Sequence, residues 1–178
     1  MQLVKIEKAQ PEDAQEIINF LNSVGGETDY LTFGLNEFPI SVAEEVDLIK
    51  ECLAKDNSLM LVAKIDNKIA SQLFLDVSMQ PRLSHIGHLG LTVSKVYWGN
   101  ALGKMMLAAA IDWAREKKLT KIQLQVRTDN LRAINLYKNF HFTIEGTIKQ
   151  ALKVNHVLYD DLVMGLDLLA PTLSNTQA

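Results

Sequence analysis

The stretch from Trp98 to Lys104 has the residue types of an anion-binding loop. Gly99 and Gly103 lie on either side of small Ala101, and such residues let the backbone approach a ligand closely. The residues that follow have helical spacing, and N–H groups at the start of a helix attract anions such as phosphates. A plain strand-to-helix turn has the same composition, so these residues alone leave both interpretations open.

Two well-known nucleotide loops do not fit this stretch. A P-loop has four residues between its glycines and a Ser or Thr after its lysine, whereas here three residues separate Gly99 from Gly103 and Met105 follows Lys104. The G-x-G-x-x-G fingerprint of dinucleotide-binding proteins is also absent. We therefore do not expect a magnesium–nucleotide site.

Metal and hydrolase chemistry are poorly supported. His85 and His88 are three positions apart, and on a regular strand that spacing points the side chains to opposite faces. Ser84 lies beside His85, but the G-x-S-x-G motif of serine hydrolases is missing. Cys52 is the single cysteine and fits the apolar side of a helix. The sequence predicts no metal site.

The composition favours one compact domain over residues 1–168, with 169–178 as a flexible tail. Lys and Arg total 18 against 21 Asp and Glu in 178 residues, so no broad cationic field is expected to bind nucleic acid or an anionic membrane. The single cysteine excludes an internal disulfide. We expect a cytoplasmic protein, because the chain starts without a signal-peptide core and has no apolar run near the ~20 residues of a membrane span.

The elements that must position these residues form a predicted α/β fold with a mixed sheet, in the order β-αα-βββ-α-β-α-ββ. Ser41, followed three positions later by Glu44, predicts the start of the second helix after an irregular loop at 25–40. The strand–helix–strand unit from 85 to 126 predicts a parallel, right-handed crossover. The predicted strands are 2–7, 58–65, 68–77, 85–93, 121–126 and two within 142–168; helices follow Pro11 and Ser41 and cover 100–117 and 130–139. Ligands of such sheets bind beyond the carboxyl ends of parallel strands, where the segment after Val93 lies.

A second motif, NLRAINLYKNFHF at 130–142, leads into Glu145-Gly146. Together with the stretch 98–104 it resembles the GNAT superfamily of N-acetyltransferases. The first stretch is similar to the family's pyrophosphate loop, Q/R-x-x-G-x-G/A, and the second to its N-x-x-A-x-x-L-Y-x-x-x-G-F signature. The Tyr-Trp-Gly opening and YDDLVM at 159–164 resemble the branch of ribosomal-protein N-terminal acetyltransferases and diamine or spermidine acetyltransferases.

Three positions depart from the family pattern. Trp98 stands where Gln or Arg is usual, and His141 replaces the glycine before Phe142. Ala101 replaces the first glycine of the loop. A backbone cradle should tolerate that one methyl group unless the position requires a positive φ.

The resemblance implies acetyl-CoA as co-substrate. Its pyrophosphate would be received by amides near the start of the helix, its pantetheine arm would pair with the preceding strand, and Asn130 would contact that arm. The cofactor-binding residues implied are Leu91, Thr92, Val93, Trp98, Gly99, Asn100, Ala101, Leu102, Gly103, Lys104, Asn130 and Tyr137.

The resemblance also implies catalytic roles. An amine with a pKa near ~10.4 must lose a proton, and the departing thiolate must be protonated or stabilised. Tyr137 occupies the family's general-acid position, although its helical spacing alone favours aromatic packing. His88, in Gly-His-Leu-Gly, replaces a glutamate that many relatives use as the base; a strand histidine bonded to its neighbours is the alternative. Glu27, in the 25–40 loop, is a second candidate base.

We therefore expect an N-acetyltransferase whose acceptor is a primary amine, such as a polyamine, a small amino compound or a protein N-terminus. Acidic Glu27, Asp29 and Glu37 would suit a cationic acceptor, or they are solvated loop charges. The alternative function is a non-catalytic protein that binds acyl-CoA or a partner. Pairing of two copies through the last strands, as a homodimer, is a further expectation from the resemblance.

Overall fold

The computed structural model describes residues 4–55 and 57–170. Strands and α-helices follow the predicted order, β-αα-βββ-α-β-α-ββ. The strands are β1 Val4–Lys8, β2 Leu59–Ile65, β3 Lys68–Val77, β4 Ile86–Val93, β5 Lys121–Arg127, β6 Thr143–Val154 and β7 Val157–Asp167. The helices are α1 Ala14–Gly25, α2 Val42–Lys55, α3 Leu102–Glu116 and α4 Leu131–Asn139, with short 3₁₀ turns at Pro11–Asp13 and Lys95–Tyr97.

The seven strands form one sheet in the order β1-β2-β3-β4-β5-β7-β6. All neighbours are antiparallel except β4 and β5, which are parallel, so the predicted parallel pairing is confirmed. These two strands pair only from Ile86–His88 to Lys121–Gln123, although both continue further. Beyond that point they diverge, and a gap opens at their carboxyl ends.

Apolar residues cover both faces of the sheet, since successive side chains of a strand point to opposite sides. One face packs against α3 and contains the fully buried Leu73, Met106 and Ile122. The other packs against α1 and α2 through Ile17 and Ile49. The helices α1 and α2 therefore close the opposite side of the sheet from the α3 crossover.

Several local predictions are confirmed. The capping box forms at the start of α2, where Glu44 N–H donates to Ser41 Oγ at 3.3 Å and Ser41 N–H donates to Glu44 Oε2 at 2.8 Å. The segment between α1 and α2 is irregular, and β6 and β7 form a hairpin that turns at Asn155. Most of the predicted tail, 171–178, lies outside the described residues. Across the part of the chain that the structure describes, no helix has the length and apolar character to cross a membrane.

The start of α3 differs from the prediction. Helical spacing placed it at Asn100, whereas the helix begins at Leu102. Gly99 has φ +85° and Ala101 has φ +61°, and neither conformation belongs to a right-handed helix. Periodicity of side chains carries no information about φ, so the loop was underestimated by two residues.

The buried carboxyl of Glu45 on α2 allows a prediction about stability. Glu45 is 1% exposed, and its Oε1 has no hydrogen-bond partner among the described residues. Burial raises the pKa of this carboxyl above 4.5, so its contribution to folding is fullest below pH 4.5 and is lost as the pH rises through the raised pKa. We expect Glu45→Met to increase the free energy of unfolding by about 1–3 kcal/mol near pH 8, and by less near pH 5.

Urea unfolding at the two pH values measures this effect. Glu51→Met, at an exposed position of the same helix, is the control and should change the free energy of unfolding little at either pH. A gain that does not grow between pH 5 and pH 8 would contradict an ionising Glu45.

Candidate active site

A cavity of about 690 Å³ runs from the start of α3, through the gap between β4 and β5, to the loop that follows α1. Its walls come from both faces of the sheet, because Leu91 and Tyr137 lie on the α3 side while Val24 and Leu31 lie on the α1 side. The predicted site residues that line it are Leu91, Thr92, Val93, Trp98, Gly99, Ala101, Leu102, Gly103, Lys104, Asn130 and Tyr137. Asn100, His88 and Glu27 are not among its lining residues.

The first turn of α3 presents unpaired backbone amides to the cavity. Ala101 is the N-cap residue and has no side chain that could cap the helix. The first helical hydrogen bond runs from Met105 N–H to the Ala101 carbonyl at 3.0 Å. The amides of Leu102, Gly103 and Lys104 therefore have no acceptor within the helix. Together with the positive end of the helix dipole, these amides are suited to an anionic ligand.

Ala101 does occupy a position that requires positive φ, at +61°. A positive φ is the condition under which the sequence predicts that alanine would disturb the anion-binding loop, and that condition is met. The left-handed turn nevertheless forms with alanine in place. A left-handed conformation costs a non-glycine residue about 1–2 kcal/mol, whereas glycine adopts it freely.

We therefore expect Ala101→Gly to stabilise the protein by about 0.5–1 kcal/mol, the relief of strain exceeding the entropy that glycine adds to the unfolded chain. Chemical denaturation measures the change. Ala108→Gly, inside α3, should have the opposite sign, a loss of about 1 kcal/mol. Equal losses in both variants would show that position 101 is not strained.

Trp98 fixes the loop to the end of β4. Its indole Nε1 donates to the Val93 carbonyl at 2.8 Å. The guanidinium carbon of Arg132 lies 4.9 Å from the indole centroid, and Lys95 Nζ lies 5.9 Å from it. Two cations therefore pack on the aromatic ring that replaces the family's Gln or Arg. Sequence reasoning missed Arg132, although it lies inside the 130–142 motif.

The backbone of β4 is partly available to a ligand. Ser94 N–H donates to the Ala70 carbonyl of β3 at 3.0 Å, and backbone groups alternate in direction along an antiparallel strand. Thr92 therefore faces β3, while Leu91 and Val93 face the gap. The Val93 carbonyl already accepts the hydrogen bond from Trp98. The backbone groups of the predicted segment that remain to face the gap are the N–H and carbonyl of Leu91 and the N–H of Val93.

Tyr137 lies on α4 with 7% of its surface exposed. Its ring centroid is 5.7 Å from that of Phe142, which confirms the packing that its helical spacing favours. The hydroxyl has no hydrogen-bond partner among the described residues. Burial raises the pKa of Tyr137 to about 12, so the phenol stays protonated at neutral pH. A neutral donor therefore borders the cavity.

Asn130 is the N-cap of α4. Its Oδ1 accepts a hydrogen bond from Ala133 N–H at 3.3 Å, which places the side chain at the cavity wall and leaves its amide NH₂ group as a donor. The motif asparagine thus caps α4, and the contact with the cofactor arm that the resemblance implies stays a prediction.

The two candidate bases lie apart from the cavity lining. His88 is exposed on the face of β4 opposite α3, paired in register with Asp76 of β3 and Gln123 of β5. Glu27 Oε2 accepts a hydrogen bond from Lys95 N–H at 2.6 Å, and Ser94 Oγ donates to the same carboxylate at 3.2 Å. Glu27 therefore holds the loop after α1 against the turn that precedes the cradle.

Comparison with known proteins agrees with this geometry. The model described as the Acetyltransferase (GNAT) family matches residues 28–142. The L-amino acid N-acetyltransferase AaaT of Escherichia coli is 38% identical over 95 residues, which are 51% of this chain and 56% of the relative. The chain spans about half the length of the curated relatives that it matches.

Solved structures match almost the whole chain. A GNAT-family acetyltransferase from Streptococcus pneumoniae is 32% identical with a TM-score of 0.89, covering 93% of this chain and 99% of that one. The yncA protein of Salmonella typhimurium, solved with its cofactor acetyl-CoA, is 17% identical with a TM-score of 0.82, covering 93% and 94%. The resemblance seen in the sequence is confirmed, and the chain belongs to the acetyltransferase (GNAT) family.

Proposed function

We propose that this protein is an acetyl-CoA-dependent N-acetyltransferase that acetylates a primary amine. The observation that supports it most is the single cavity, which joins the uncapped start of α3, the diverging end of β4 and the hydroxyl-bearing ring of Tyr137. The yncA protein, whose fold is the same, was solved with acetyl-CoA.

The residues present fit this co-substrate. Amides at Leu102, Gly103 and Lys104 would receive its pyrophosphate, with Gly99 and Ala101 giving the loop its left-handed turns. Leu91 and Val93 would pair with the pantetheine arm through their backbone. Arg132 adds a cation beside Trp98, where the family pattern has Gln or Arg.

Acetyl-CoA would supply an activated thioester, whose C–S bond breaks as the amine nitrogen forms the new amide bond and CoA leaves as a thiolate. Tyr137 Oη would donate a hydrogen bond to that sulfur. A thiol has a pKa near ~8.5, well below that of the buried phenol, so Tyr137 stabilises the thiolate more readily than it protonates it fully. The phenol then acts as a donor that stays neutral throughout.

The amine must lose its proton to a base, and His88 remains our first candidate. Imidazole is a common general base in enzymes, and the exposed position of His88 on β4 allows it to act through water. We expect His88→Gln to lower kcat/KM about tenfold near pH 7, measured by release of CoA thiol. His85→Gln is the control; full activity in His88→Gln would leave Glu27 as the candidate.

The acceptor site is proposed to select a cationic amine, such as a polyamine, a small amino compound or a peptide N-terminus. AaaT is named for L-amino acids, whose carboxylate needs a cation. Lys104 and Arg132 line the cavity at the cradle end, while Arg127 is paired with Asp129. Asp29 and Glu27 lie in the loop after α1 outside the cavity lining, and this loop carries no Lys or Arg, so its net negative charge favours an amine without a carboxylate.

Further expectations concern the protein's surroundings. We propose a cytoplasmic protein with no nucleic-acid or membrane partner. Two copies would pair through the β6 edge of the sheet, where Ile144 and Ile148 are exposed with Val157 and Leu158 of β7. Sedimentation equilibrium tests this pairing; a monomer at micromolar concentration would contradict it.

Isothermal titration with acetyl-CoA, CoA and ATP tests the proposal, followed by thiol release with polyamines, amino acids and peptides as acceptors. Micromolar binding of both CoA species without ATP binding, and turnover with at least one amine, are the expected results. Failure to bind CoA would refute the proposal. Binding without turnover across the amine panel would instead favour a non-catalytic acyl-CoA-binding protein, the second candidate raised by Trp98, Ala101 and His88.

A further inference from the structure

Arg127, the last residue of β5, lies where the gap between the strands opens. Its side chain is 6% exposed. The guanidinium forms a two-point pair with Asp129: Nε donates to Oδ1 at 2.9 Å and Nη2 donates to Oδ2 at 2.6 Å. Paired donors and acceptors of this kind fix both orientation and distance.

The same guanidinium reaches the irregular segment 26–41 between α1 and α2, which we call the acceptor loop. Nη1 donates to the Asp29 carbonyl at 2.8 Å. The guanidinium carbon lies 4.8 Å from the ring centroid of Tyr30 and 3.6 Å from that of Tyr159 on β7. Because Tyr30 and Asp129 both line the cavity, one side chain connects two of its walls.

The rest of the acceptor loop is held at its two ends. Glu27 accepts a hydrogen bond from Lys95 N–H near the beginning. Asn22 accepts one from Phe38 N–H at 3.0 Å near the end. Arg127 provides the anchor from β5 at Asp29 and Tyr30, the part of the loop that reaches the cavity.

A second carboxylate lies close by but does not take part. Asp161 of β7 is the register partner of Arg127, yet its Oδ1 is buried with no hydrogen-bond partner among the described residues. The guanidinium pairs with Asp129 and the loop instead. Either carboxylate could neutralise the charge of Arg127, but only Asp129 is hydrogen-bonded to it. The hydrogen bonds to Asp129 and to the loop therefore indicate a positioning role.

We propose that Arg127 is a positioning residue of the acetyl-transfer site: paired with Asp129, it fixes the acceptor loop beside the cavity and thereby sets the affinity for the amine without contacting it. The inference rests on the proposed function, because the acceptor is assigned to this side of the gap. Lysine cannot replace arginine here, since an ammonium group cannot bind both Asp129 oxygens and the Asp29 carbonyl in the same geometry.

The test compares Arg127→Lys and Asp129→Asn with two controls, Asp161→Asn and the exposed Arg115→Lys. For Arg127→Lys we expect the KM of the amine to rise about tenfold, with kcat and the acetyl-CoA Kd within about twofold of wild type. Amide hydrogen exchange in residues 28–38 should accelerate in Arg127→Lys and Asp129→Asn, and in neither control.

Three outcomes would overturn the inference: an unchanged amine KM with unchanged exchange in Arg127→Lys, an equal effect in Asp161→Asn and Asp129→Asn, or an acetyl-CoA Kd that rises as much as the amine KM. If Arg127→Lys does not fold, Asp129→Asn gives the same comparison with the Asp29 contact retained. Should wild type itself turn over no amine, the proposed function fails, while the exchange data still test whether Arg127 anchors the loop.

Discussion

Tyr137→Phe should lower kcat about 10- to 100-fold, corresponding to one lost hydrogen bond to the leaving sulfur. The affinity for acetyl-CoA should stay within about twofold, because the ring keeps its packing against Phe142. The free energy of unfolding should be unchanged or slightly higher, since the hydroxyl has no hydrogen-bond partner among the described residues and its removal breaks no hydrogen bond.

A lower kcat with unchanged acetyl-CoA affinity and unchanged stability would identify Tyr137 as the donor to the leaving sulfur. Steady-state kinetics by thiol release, titration calorimetry and urea unfolding measure the three quantities on the same preparation. Tyr97→Phe, a tyrosine that also lines the cavity, is the matched control and should keep its kcat. An unchanged kcat in Tyr137→Phe would remove the residue from the mechanism, whereas a drop in kcat with an equal loss of stability would indicate a packing role.

Gly103→Val, in the first turn of α3, should weaken acetyl-CoA binding at least about 30-fold, the largest effect on binding that we expect from a single substitution. A Cβ at Gly103 would lie 3.3 Å from Leu136 Cδ2 and 3.8 Å from Val93 Cγ2, and valine adds two further carbons where α3, α4 and β4 meet. Such overpacking costs about 1–3 kcal/mol of stability and displaces the amides of the cradle.

Calorimetric Kd values and unfolding free energies measured together separate the two effects. Gly146→Val on β6 is the control, because a Cβ there would meet nothing within 4 Å and the residue is far from the cradle in the fold. Its Kd and stability should be close to those of wild type. If Gly103→Val folds and binds acetyl-CoA with wild-type affinity, the cradle is not at the start of α3.

The sequence was sufficient where local spacing decides the structure. The capping box at Ser41 and the hairpin at Asn155 depend on residues a few positions apart, and both are confirmed. The parallel pairing of β4 with β5 joins residues 35 positions apart, and it is confirmed as well because a single helical pattern lies between the two strands. The 98–104 and 130–142 stretches were likewise predicted to share one site, and they line one cavity. Their convergence follows from the fold that the resemblance implied.

Features that depend on distant contacts could not be predicted. Arg127 bonds to Asp29, 98 positions earlier in the chain, and nothing in a strand-end arginine indicates that partner. Trp98 was a departure from a motif, but its contact with Arg132 of α4, 34 positions later in the chain, became visible only in the structure. Whether Ala101 adopts a positive φ was left open, because spacing reports side-chain faces and not backbone dihedrals.

The short parallel pairing of β4 and β5 divides the sheet into two halves that share few hydrogen bonds. Three register pairs join a four-stranded half, β1 to β4, to a three-stranded half, β5 to β7, so this seam is its narrowest junction. A ligand that bonds to the β4 edge and to the first turn of α3 would stabilise the junction between the two halves. At a concentration of 100 times its Kd it would add about 2.7 kcal/mol to the folding stability. The free energy of unfolding would then depend on the concentration of that ligand.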